Sequence, residues 1–138
     1  MKTLYTAIAT VSGGREGHVR SDDGLLDLDL RMPKGLGGPG GAGSNPEQLF
    51  AGGYAACFES ALRGVARQRK KALQGAHITA HVSLGVTDAG KYVLAVELHG
   101  HVDGSPLEET RALMEAAHEV CPYSNATRGN VEVKLVAE

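Results

Sequence analysis

The sequence has no apolar run approaching the ~18–20 residues that a membrane-spanning helix requires, so no helical membrane span is expected. It also lacks a surplus of either charge: 14 Lys and Arg stand against 16 Asp and Glu, a net charge of −2. So balanced a chain offers no electrostatic footprint for nucleic acid or for an anionic membrane. Cysteine is scarce. The two present, Cys57 and Cys121, are too far apart in sequence for a CxxC redox motif, and too few for a structural zinc site unless histidines complete it. The N-terminal residues MKTLYTAIATVSGG alternate apolar with polar side chains and read as a strand rather than a cleavable signal. A cytoplasmic protein is the resulting expectation. In that compartment a lasting structural disulfide is rare, which leaves two options for the cysteines: inert core thiols or reactive ones.

What is present is a single domain's worth of chain, residues 1–138, with 42% hydrophobic and 22% charged residues. Its organising stretch is SNPEQLFAGGYAACFESALRGVARQRKK, Ser44 to Lys71. Two overlapping capping boxes open it, Ser44 with Glu47 and Asn45 with Gln48, and Pro46 suits the first turn. From Leu49 to Leu62 the residues are apolar or small on nearly every side, which predicts a long buried helix. Its basic tail complements the negative end of the helix dipole. Glycine, 19 residues in all, concentrates just before this helix in LGGPGGAG, a loop long enough to suggest a functional role.

Upstream, Thr3–Ser12 reads as a strand and GGREG as a turn with Arg15 at its tip. Short strands around His18–Arg20 and Leu25–Leu30 flank the turn signal DDG. Downstream, His77–Thr87 and Lys91–Val102 alternate strongly and are joined by Asp88-Ala89-Gly90, a hairpin. Ser105, Pro106 and Glu108 form a helix start, with an apolar stripe of Leu107, Leu113 or Met114, Ala117 and Val120 or Cys121. Pro122 stops that helix, polar YSNATRGN follows, and Val131–Ala137 is a last strand. The order ββ(β)–α–ββ–α–β predicts an α+β fold with a mainly antiparallel sheet.

Three constellations could carry chemistry. An apolar helix interior raises a thiol's pKa, so a reactive Cys57 needs a cation delivered from another segment; Arg15 is one candidate. Cys121, at a helix C-terminus, is set to remain a neutral thiol. Glu47 either complements the helix dipole or holds such an arginine. It precedes Cys57 by ten positions, roughly 15 Å along the axis at 1.5 Å per residue, too far to touch it. Finally, His77, His81, His99 and His101 fall on one face of the hairpin if its turn pairs Thr87 with Lys91. They form either a solvated sheet face or a site for zinc or another borderline metal.

NPEQLFAGGYAACF (Asn45–Phe58), VCPYSNATRGN (Val120–Asn130) and GGREG around Arg15 resemble the organic hydroperoxide resistance proteins, of the larger group that includes the osmotically inducible peroxidases. The similarity spans essentially the whole chain. It implies Cys57 as peroxidatic cysteine, Cys121 as resolving cysteine, Arg15 as the residue stabilising the Cys57 thiolate, and Glu47 as the residue orienting Arg15. It also implies an intertwined α+β homodimer with its active sites at the subunit interface, acting on organic and fatty-acid hydroperoxides. The implied reductant is a dithiol, notably the lipoyl group of a lipoylated protein, with no metal or prosthetic group. Leu36, Phe50 and Tyr54 are then candidates to line the pocket for the hydroperoxide tail. The alternative is a non-catalytic module that binds a hydrophobic ligand or, on the histidine face, a metal.

Overall fold

A computed structural model describes residues 1–138. The chain forms two compact units, Met1–Leu49 and Phe50–Glu138. In the first, β1 (Ala9–Ser12), β2 (His18–Ser21) and β3 (Asp27–Asp29) make an antiparallel sheet in that order. The ladder begins only at Ala9, so the strand expected from Thr3 is shorter: Leu4, Tyr5 and Ile8 are apolar yet exposed. Between β1 and β2 the chain makes a single 3₁₀ turn, Gly14–Glu16, entered through Gly13 at φ 79°, a left-handed conformation that glycine adopts without a Cβ penalty.

Helix α1 (Pro46–Gln68) starts where the second of the two capping boxes places it. Asn45 Oδ1 accepts the Gln48 backbone N–H at 2.8 Å, while Ser44 Oγ turns to the Gln48 side chain instead. Tyr54, Phe58, Leu62, Val65 and Ala66 are buried, at spacings of four, four, three and one, which is one helical face. The stripe Gly52, Ala56, Ser60 is exposed. Residues this small give the helix an apolar composition all round while leaving little on that side to bury within one chain.

In the second unit, β4 (Ala76–Val86) and β5 (Tyr92–Val102) pair antiparallel through the expected hairpin, with Thr87 N–H donating to Lys91 O at 2.9 Å. Helices α2 (Leu107–Val120) and α3 (Pro122–Thr127) then return the chain, so that β6 (Glu132–Ala137) joins β5 in parallel and the order is β4-β5-β6. Every second residue of β5, Val96, Leu98, Gly100 and Val102, faces the core made with α1 and α2. The fold is α+β, as the order of elements predicts.

Three local expectations change. The Ser105 box does not form: α2 starts at Leu107, with Pro106 as its cap, and Ser105 Oγ instead accepts a hydrogen bond from Lys71 Nζ at 2.8 Å. The core stripe of α2 is Thr110, Leu113, Met114, Ala117 and Cys121, whereas Leu107 and Val120 are exposed. YSNATRGN, read from the sequence only as a polar segment, contributes its first half to helix α3.

Candidate active site

Pro122 ends α2, because its ring and missing N–H cannot continue a helix, and it is also the first residue of α3, where no N–H is needed. Cys121 occupies the joint: it caps the C-terminus of one helix and the N-terminus of the next, with φ −68° and ψ 126°. The sequence reading placed it only at a helix C-terminus. At the joint it is fully buried, and its sulfur lies 3.6 Å from Cys57 Sγ on α1, both as free thiols. A disulfide is about 2.05 Å long, so a small local approach would close the pair.

Cys57 is half-buried and opens on a cavity of about 360 Å³. Cys57, Ala61, Gly64 and Gln68 follow one another at four, three and four residues along α1, so small side chains on that stripe create the space; Val120 and Pro122 close its other side. Val120 is thereby accounted for: apolar yet outside the core, it faces the cavity beside Cys57. Of the residues expected to line a pocket, Tyr54 is fully buried in the core, Phe50 is packed edge-on against Tyr54 and Tyr123, and Leu36 is exposed at the end of a 3₁₀ turn, Lys34–Leu36.

Burial pushes the Cys57 thiol above its ordinary pKa, and the neighbouring Cys121 adds to this. The Tyr123 backbone N–H, in the first turn of α3, works in the opposite direction by hydrogen bonding to the sulfur. The surroundings of Cys57 within its own unit thus favour the neutral thiol. A cation brought beside the sulfur would favour the thiolate.

In the other unit, Arg15 and Glu47 meet fork to fork, with Nη1–Oε2 and Nη2–Oε1 both 2.7 Å. The Glu47 hydrogen bond raises the Arg15 pKa further, and Arg15 holds the Glu47 carboxyl below its usual value, since each charge favours the other. Glu47 is therefore more than a dipole partner: its two oxygens fix the plane of the guanidinium. Glu16, next to Arg15, tethers the same turn by accepting the Met32 backbone N–H at 3.0 Å.

Sequence reasoning did not single out a polar network beside the cysteines. Tyr54 OH bonds Ser124 Oγ at 2.9 Å and Thr127 Oγ1 at 3.2 Å, and Ser124 Oγ also meets His118 Nδ1 at 2.8 Å. Burial, reinforced by the charge of Arg128, pushes His118 below its ordinary pKa, so it enters the network as a neutral ring. A Tyr in an otherwise apolar buried stripe needs a partner for its hydroxyl, and Pro122 after a helix is a start signal as well as a stop; together these could have revealed α3. Tyr54→Phe is expected to cost about 1 kcal/mol, the usual net worth of such a bond, because Ser124 keeps His118. Chemical denaturation of the two proteins measures it.

Comparisons with known proteins identify the family. The family model described as OsmC-like protein matches residues 38–136. A protein of Xanthomonas axonopodis pv. citri named organic hydroperoxide resistance protein is 52% identical over 135 residues, covering 97% of this chain and 94% of its own length. Among solved structures, an organic hydroperoxide resistance protein from Legionella pneumophila is 58% identical, with a TM-score of 0.93 and 99% of both chains covered. OhrB of Bacillus subtilis is 45% identical with a TM-score of 0.90, covering 99% of this chain and 100% of its own. The match of the OsmC-like model to residues 38–136, together with relatives about half identical over nearly the whole length, places this chain in the OsmC-like family, among the organic hydroperoxide resistance proteins.

Proposed function

We propose that this protein is a cysteine-based peroxidase that reduces alkyl and fatty-acid hydroperoxides to alcohols in defence against oxidative stress. The observation that carries the reading is the pair of free thiols 3.6 Å apart beside an apolar cavity. The Cys57 thiolate attacks one oxygen of the O–O bond; the bond breaks, the alkoxide leaves and takes up a proton as alcohol, and Cys57 becomes a sulfenic acid. The Cys121 thiol condenses with it, expelling water and forming the Cys57–Cys121 disulfide. An external dithiol, for which we propose a dihydrolipoyl group on a partner protein, then restores both thiols by two exchanges and leaves as its own disulfide. No metal or prosthetic group enters these steps.

Arg15 is the cation proposed to stabilise the Cys57 thiolate and the charge developing on the peroxide oxygens, and Glu47 is proposed to orient it. A homodimer is proposed on the strength of two exposed surfaces: the Leu4, Tyr5 and Ile8 segment, and the small-residue stripe of α1. The chain has no helix long and apolar enough to cross a membrane, and we propose that it works in the cytoplasm.

One equivalent of tert-butyl hydroperoxide per chain is expected to consume both titratable thiols and release one equivalent of tert-butanol, with dihydrolipoamide restoring the thiols. Unchanged thiols would leave only a binding function for the cavity.

A further inference from the structure

The outer face of the β4-β5-β6 sheet carries a second group of residues that the peroxidase reading does not use. Because strand residues alternate between faces, Ile78, Ala80 and Val82 of β4 and Val96, Leu98 and Val102 of β5 turn to the core with the cysteines. His77, His81, Glu97, His99 and His101 turn the other way. The register sets His81 directly opposite Glu97 and Thr79 opposite His99, which makes His81 and His99 diagonal neighbours. Their rings stack at 4.5 Å with 15° between planes.

We propose that His81, Glu97 and His99 form a binding site for a divalent transition metal, with Zn²⁺ the expected occupant. One donor atom from each lies within 4.8 Å of the others. His99 Nε2 and Glu97 Oε2 are already 3.1 Å apart. Two ligand atoms on a tetrahedral ion, each at about 2.0–2.1 Å, are roughly 3.3 Å apart, so Nε2 and Oε2 already stand at ligand separation; an ion would take the place of the shared proton as the His81 and His99 rings turn out of their stack to face it. Lys134 Nζ pairs with the other oxygen of Glu97, Oε1, at 3.1 Å, leaving Oε2 to face the imidazole. The far nitrogen of His99, Nδ1, meets Glu138 Oε1 at 2.5 Å. A carboxylate behind a ligating histidine fixes its tautomer and raises its basicity, the supporting arrangement that metal-bound imidazoles commonly have. The C-terminal residue is itself held in place, since Glu138 N–H donates to Gly100 O at 2.9 Å.

Two imidazoles and one carboxylate suit a borderline ion such as Zn²⁺ rather than Mg²⁺ or Ca²⁺, which take oxygen donors. Three protein ligands leave a position open to water. The ion would bridge β4 to β5 as a cross-strand clip on the face away from the thiols, so its binding is separable from their chemistry.

The test uses the full chain with Cys57→Ser and Cys121→Ser, which removes the thiols as competing ligands and makes the result independent of the peroxidase reading. After chelator treatment, ZnCl₂ is titrated by calorimetry. One equivalent is expected to bind, and the thermal midpoint to rise with Zn²⁺ concentration by mass action. Added His81→Ala or His99→Ala should abolish both effects. Glu138→Gln, which removes no ligand, should weaken binding about 10- to 100-fold. Thr79→Ala, on the same face, should change nothing. Co²⁺ should give a low-symmetry visible spectrum that is lost with His99→Ala. Absence of Zn²⁺ binding, or one equivalent bound as tightly by the His81→Ala and His99→Ala proteins, would overturn the site.

Discussion

Cys57→Ser is expected to reduce organic hydroperoxide turnover to the rate of the uncatalysed reaction, whereas Cys121→Ser should complete the first half-reaction and then stop. The difference follows from what each sulfur does. Cys57 opens on the cavity, and Cys121, fully buried in the core, has its sulfur 3.6 Å from that of Cys57. A serine at 57 has no accessible anion near neutral pH and is a poor nucleophile toward an O–O bond. A serine at 121 leaves the attack intact but cannot condense with a sulfenic acid. The Cys121→Ser protein should therefore release one equivalent of alcohol per chain in a burst, and a second equivalent of hydroperoxide should drive Cys57 to the sulfinic acid, which a dithiol does not reverse. Alcohol release by stopped flow and intact-protein mass spectrometry report the two events. Steady turnover by the Cys57→Ser protein, or undiminished cycling by the Cys121→Ser protein, would remove the respective residue from the mechanism.

Much of the scaffold behind these outcomes is legible in residue order. The Asn45–Gln48 cap marks the start of α1 to the residue, and Asp88-Ala89-Gly90 fixes the register that puts four histidines on one face. Local signals failed where a tertiary contact outcompeted them. Ser105 would cap α2 well, but Lys71 claims its hydroxyl. Val120 has the right spacing for the core, yet the cavity beside Cys57 lies on that side of the helix. α3 escaped because its composition is polar and its six residues are too few to show a period, while its buried members, Ser124 and Thr127, are held by a tyrosine about seventy positions earlier. The candidate site divides the same way. The identities of Cys57, Cys121, Arg15 and Glu47 stand out from the motifs. The Tyr123 N–H at the Cys57 sulfur does not, since a backbone donor leaves no mark in the sequence.

Arg15→Ala is expected to move the pH midpoint of Cys57 reactivity upward and to slow reduction at neutral pH about tenfold for each unit of that move. Burial, the proximity of Cys121 and the Tyr123 N–H remain in this variant, and their balance favours the neutral thiol. Removing the cation should leave the sulfur to that balance. The readout is the pH profile of iodoacetamide alkylation in a Cys121→Ser background, which a purely structural loss would not displace along the pH axis. Glu47→Gln should shift the midpoint in the same direction but less far, because the guanidinium keeps its charge and loses only its fixed plane. The pair also predicts a stability signature of definite sign. Arg15 depresses the folded-state pKa of Glu47 below its ordinary value of 4.5. The stabilisation from the pair is therefore present above that value and lost as pH falls through the depressed one. Wild type should exceed Glu47→Gln in denaturant midpoint at pH 7, and the gap should close on acidification below pH ~4.5. A gap constant across that range would mean that the fork-to-fork pair contributes nothing to the fold; an unmoved alkylation midpoint in Arg15→Ala would mean that another cation serves Cys57.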